Sequence, residues 1–169
     1  MRFLPFVFVL LLGCPDAAEP CEDCSGSCTI ESLDVEGGAH TEEAIDWGTS
    51  PPVGGPHDPC WGDWGVYADP LEPRHWVHNL EHGGVVLLYD CTDCDDEIAV
   101  LTAFEAAAPA GRVIVTPYAD LGSRFAAISW GWRMQMDCAE QEGLQGFFDA
   151  HVDQAPESVT SGAPAGCLE

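Results

Sequence analysis

The sequence predicts a small α+β domain, a mixed β-sheet flanked by helices, with a loop-rich N-terminal part and disulfides to stabilise it. Three observations predict this class. Short apolar runs with strand character alternate with segments of helical periodicity after residue 73. A dense stretch of proline and glycine precedes them. Nine cysteines are distributed along the 169 residues.

The elements follow in order. "PPVGGPHDPCWGDWG", residues 51–65, carries four prolines and four glycines in fifteen positions, which excludes regular structure. Trp61, Trp64 and His57 within it point to an ordered loop rather than a linker. Pro73–His82 predicts a short helix, because proline suits a first turn and Gly83-Gly84 suits a stop. Val85–Tyr89 is a continuous apolar run, as expected of a strand buried on both faces. Asp95–Ala108 predicts a helix with Ile98, Leu101 and Phe104 at helical spacing and acidic residues at its positive end. "RVIVTPY" predicts a strand, Phe125–Trp132 another, and Leu144–Val152 a closing amphipathic helix. The expected order is therefore helix, strand, helix, strand, strand, helix, with no internal repeat.

The start of the chain points to export. Met1-Arg2 supplies a positive charge, and Phe3–Leu12 is an apolar run too short to span a bilayer as a helix. It ends in Leu11-Leu12-Gly13-Cys14, which resembles a bacterial lipobox with Cys14 as the lipidated residue. The expected division is a signal peptide over 1–13, an acidic Cys/Gly/Ser-rich tether over 14–38, a globular domain over 39–155 and a C-terminal tail over 156–169. The expected location is the bacterial cell envelope, with the membrane as partner through the lipid; the sequence names no protein partner. Net charge is −24, from 29 acidic and five basic residues, all five arginine. A surface this acidic excludes nucleic acid as a partner and attracts cations.

With Cys14 lipidated, Cys21, Cys24, Cys28, Cys60, Cys91, Cys94, Cys138 and Cys167 remain as disulfide candidates. Eight cysteines allow on the order of a hundred pairings, which spacing does not separate. One expected bridge ties Cys167 to the cluster Cys21, Cys24 and Cys28. Cys91-Thr92-Asp93-Cys94 sits between a predicted strand and a predicted helix, as a thioredoxin-like redox pair would. Asp90, Asp93, Asp95 and Asp96 surround it and disfavour a thiolate, so a structural disulfide is the preferred reading.

"HWVHNLEHGG" places His75, His78 and His82 three and four residues apart, on one face of a helix. His78 and His82, at i and i+4, can reach one metal ion. His57 on the stiff loop is the expected third ligand, and His40 or His151 a fourth. Asn79 or Glu81 would stand behind the imidazoles and fix their tautomers. Imidazole suits copper and zinc, and the Met134–Met136 pair, if present at the site, would tilt the choice towards Cu(I).

"PPVGGPH", "VHNLEHGGVVLLYD", "VIVTPY" and "ISWGW" together resemble an uncharacterised bacterial family, domain of unknown function 3105. Its members are typically exported or membrane-anchored, and the resemblance covers about residues 39–155. By that match His40, His57, His78, Glu81 and His82 fall on motif positions, whereas His75 and the cysteines do not. Leu121-Gly122-Ser123 stands where the family tends to have prolines. The resemblance implies a site but no settled activity.

Three functions remain open on these residues. The preferred one is a lipid-anchored domain with a His-rich copper or zinc site and no assigned catalysis. A binding or scaffold module with structural histidines, using Trp61, Trp64, Trp76, Trp130 and Trp132 as core or docking face, is the second. His78-Asn79-Leu80-Glu81-His82 also matches the inverted zincin motif H-x-x-E-H, in which Glu81 would deprotonate a zinc-bound water. The glycines straight after His82 leave too short a helix for that family's architecture.

Overall fold

The computed structural model describes residues 28–158 and Cys167; the signal peptide, Cys14, Cys21 and Cys24 lie outside them. Six strands and three helices follow one another as β1 (Cys28–Ser32), β2 (Gly65–Val66), α1 (Pro73–Glu81), β3 (Val85–Tyr89), α2 (Asp95–Ala107), β4 (Val113–Pro117), β5 (Phe125–Ser129), β6 (Trp132–Met136) and α3 (Gln141–His151). The strands form one mixed sheet in the order β1-β6-β5-β3-β4-β2. β3 runs parallel to β4, and β4 parallel to β2, while β5 is antiparallel to β3 and β6, and β1 antiparallel to β6. The expected α+β class with a mixed sheet is what the chain adopts.

Strand periodicity explains why β3 reads as one unbroken apolar run. Val85 and Leu87 point to one face, into a core completed by Leu101 and Phe104 of α2, by Leu144, Phe147 and Phe148 of α3, and by Met134 and Met136. Val86 and Leu88 point to the other face, against Trp76, Val77 and Leu80 of α1, with Val53 from the proline-rich loop. A central strand covered on both sides needs no polar alternation.

Three expectations change. Phe125–Trp132 is not one strand: the chain turns at Trp130-Gly131, with Gly131 at φ +76°, and Ser129 pairs with Trp132 in a β5–β6 hairpin. Cys28–Ser32, assigned to the tether, is an edge strand of the sheet, with Cys28 opposite Met136 and Ser32 opposite Trp132. Cys167 bridges to Cys60 rather than to the N-terminal cysteines. Cys91 and Cys94 form a second disulfide, and Cys28 and Cys138 each belong to a further one.

The helix that carries the histidine motif ends sharply. Gly83 N–H donates to the Leu80 carbonyl at 2.9 Å and Gly84 N–H to the Asn79 carbonyl at 3.0 Å, with Gly83 at φ +85°. These two bonds are those of a Schellman turn, which closes the helix at His82. Gly84 serves a second purpose: a Cβ there would lie 2.5 Å from the Trp64 ring. The central packing sets the expected cost of a cavity. Leu88→Ala, at a wholly buried position, should lower unfolding free energy by about 2–5 kcal/mol in urea titration at unchanged m-value.

Candidate metal centre

The site begins with two backbone segments laid side by side. His57 N–H donates to the Ala39 carbonyl at 3.1 Å, and Thr41 N–H donates to the His57 carbonyl at 2.7 Å. This parallel bridge sets His40 beside His57, with ring centroids 5.0 Å apart. Arg74 of α1 pins the pair of segments. Its Nε lies 3.0 Å from Asp58 Oδ2 and its NH2 group donates to the Thr41 carbonyl. Trp47 Nε1 donates to the Pro56 carbonyl from the outside.

α1 then supplies His78 and Glu81. One ligand atom from each of His40, His57, His78 and Glu81 lies within 4.8 Å of every other. His57, His78 and Glu81 are buried, while His40 is exposed and forms the solvent side of the group. The tautomers follow from the partners. His57 Nδ1 lies 2.8 Å from the Gly55 carbonyl, and His78 Nδ1 lies 2.8 Å from the Asp58 carbonyl. A carbonyl only accepts, so both Nδ1 atoms carry a proton and Nε2 is the nitrogen each ring has left for the group. This is the orienting contact that metal-bound imidazoles use.

His57 Nε2 faces Glu81 Oε2 at 3.1 Å, deep in the protein. A neutral imidazole lone pair and a carboxylate oxygen repel unless a proton or a metal cation sits between them. Burial is the main reason that His78 is pushed down to about pKa 4, with the neighbouring His57, His82 and His40 acting in the same direction and the bond to the Asp58 carbonyl opposing. His78 is thus held neutral, the form that binds metal, well into the acid range.

The remaining expected residues go elsewhere. His82 is the C-cap of α1 and is not among the four residues whose ligand atoms converge. Its Nδ1 lies 3.0 Å from the Glu157 carbonyl, and its ring stacks near His78 and Trp61 at 4.7 Å between centroids. Its Nε2 is enclosed without a hydrogen-bond partner among the described residues. Asn79 holds backbone, not imidazole: it accepts from Gly62 N–H and donates to the Gly62 carbonyl, both at 3.0 Å. His75 lies 2.7 Å from the Cys60 carbonyl, and His151 packs on Trp132 and Phe147. Met134 and Met136 are buried on the opposite face of the sheet, so neither of these thioethers reaches the group.

A nine-residue helix and two bridged loop segments bring together a three-histidine, one-carboxylate group, buried except for His40, that could hold a metal ion. The chain belongs to the family described as protein of unknown function DUF3105, whose model matches residues 39–163. No curated protein and no solved structure matches it.

Two outcomes test this geometry. An unfolded imidazole protonates near pH 6.5 and folded His78 only near pH 4, so falling pH favours the unfolded chain across that window. In metal-free buffer, the Tm difference between wild type and His78→Gln should therefore shrink from pH 6.5 to pH 4 and level off below. Asn79→Ala leaves the Gly62 N–H and carbonyl without their partner and should cost about 1–3 kcal/mol in chemical denaturation.

Proposed function

We propose that His40, His57, His78 and Glu81 bind one divalent transition-metal ion, zinc or copper, in a domain exported and held at a bacterial membrane by lipid on Cys14. The observation that carries the metal assignment is the buried His57 Nε2–Glu81 Oε2 contact at 3.1 Å, beside a second imidazole, His78, whose Nδ1 is already bonded to a carbonyl. Three imidazoles and a carboxylate suit zinc and Cu(II), and the burial of Met134 and Met136 in the core on the other face removes their argument for Cu(I). An open cleft of about 380 Å³, lined in part by Asp34, Glu36, Asp46, Gly55 and Pro56, lies beside the His57 backbone and favours cations. The export and anchoring rest on the residues from Met1 to Cys14.

Four protein ligands fill a tetrahedral ion, as in sites that hold a metal rather than activate water on it. Glu81 as a ligand is also lost to the general-base role that an H-x-x-E-H hydrolase requires. The function that fits is metal binding, for structure, storage or transfer.

Metal content by mass spectrometry on the exported protein, without a histidine tag, tests this. About one zinc or copper per chain is expected, falling to background in His57→Ala/His78→Ala. Stoichiometric metal in that variant, or none in reconstituted wild type, would leave the histidines as architecture. Gly38→Ala supplies a check in which every ligand residue is kept. A Cβ there would overlap Glu81 Oε1, and the displaced carboxylate should weaken metal binding by roughly tenfold or more in chelator competition.

A further inference from the structure

The Cys91–Cys94 disulfide has no part in the metal group, and its setting is more specific than a staple requires. β3 leads into it and α2 leads out, with Cys94 as the N-cap of α2, and α2 returns the chain to β4, parallel to β3. The pair therefore occupies the carboxyl end of a βαβ unit, where open sheets present reactive groups. The two cysteines differ in exposure: Cys94 is 1% exposed, whereas Cys91 is partly exposed and Thr92 and Asp93 between them are open to solvent. As a staple the bridge is weak, because it closes a sequence separation of 3, against 107 for Cys60–Cys167. Closing so short a loop removes little freedom from the unfolded chain.

We propose that Cys91 and Cys94 form a redox-active pair that exchanges two electrons with an external dithiol. A thiolate of the dithiol attacks Sγ of Cys91, the more exposed of the two cysteines. The Cys91–Cys94 bond breaks, and Cys94 leaves as a thiolate at the positive end of α2 and takes up a proton. The second thiol of the donor, as thiolate, attacks its own sulfur in the mixed disulfide and releases Cys91, which is then protonated. The donor is oxidised to a disulfide, the pair is reduced to two thiols, and two protons pass between them. The reverse sequence delivers the electrons to a disulfide.

The charges around the pair set its direction. Asp90, Asp93, Asp95 and Asp96 disfavour the thiolate, and with it the reduced pair. Arg124 offsets part of this, with one guanidinium nitrogen 3.3 Å from Asp93 and another 3.4 Å from Glu97. The Asp90 N–H donates to the Arg124 carbonyl at 2.9 Å and fixes the strand that bears this arginine against the motif. The pair is accordingly built to give electrons more readily than to take them.

The test reduces the intact protein with graded dithiothreitol, alkylates it, and reads each cysteine by peptide mass spectrometry while circular dichroism reports the fold. Reduction of Cys91–Cys94 at least tenfold faster than Cys60–Cys167, with the fold retained, is expected. Cys94→Ala should form a mixed disulfide with glutathione at Cys91, and Cys91→Ala should form at least tenfold less at Cys94. Reduction of the pair only together with unfolding, or equal trapping at both cysteines, would overturn the proposal. Should Cys94→Ala fail to fold, the wild-type reduction order alone decides between the two outcomes.

Discussion

Placing His57 and Glu81 together beneath the surface constrains everything around them. An imidazole lone pair and a carboxylate oxygen at 3.1 Å, shielded from water, demand a positive charge between them. The protein commits backbone to keeping this arrangement. The Gly55 and Asp58 carbonyls take the Nδ1 protons, and both belong to the proline-rich loop. Asn79 holds Gly62 at the far end of that loop, and Arg74 ties Asp58 to Thr41. The breakers that exclude regular structure from residues 51–65 thus leave carbonyls free of any ladder, and the histidines use them.

The sheet serves the site by dividing the chain's apolar residues between two faces. α2 and α3 cover one face, which contains the methionines. α1 and the loop cover the other, with Trp76, Val77 and Leu80 locking the helix that presents His78 and Glu81. A helix of nine residues is marginal alone. Its position here comes from that buried face and from the turn at Gly83-Gly84.

Much of this was legible in the residues themselves. Pro73 and Gly83-Gly84 marked both ends of α1, and the unbroken apolar run of β3 announced a strand covered twice. β1 was not legible, because "CTIES" lies at an edge with most of its side chains outward and has the polarity of a linker. The β5–β6 hairpin was hidden because its turn is Trp130-Gly131, without the asparagine or aspartate that usually signals one. Within the site, His40, His57 and His78 came from the motif. Glu81 was expected behind the ligands and His82 among them, since helical spacing treats both as helix positions. Periodicity does not register that His82 is the cap, or that Glu81 rather than His82 brings its ligand atom to the group.

The Cys60–Cys167 bridge joins the loop beside the histidines to the end of the chain, and Cys167 N–H donates to the Trp61 carbonyl at 3.4 Å. All three helices and every strand except β1 lie within the ring of chain that this bridge closes. A protease that cuts any exposed loop between Cys60 and Cys167 opens the ring without releasing a fragment. Both pieces stay covalently joined next to the histidine–glutamate group, and the damaged domain keeps its parts within reach for reassembly.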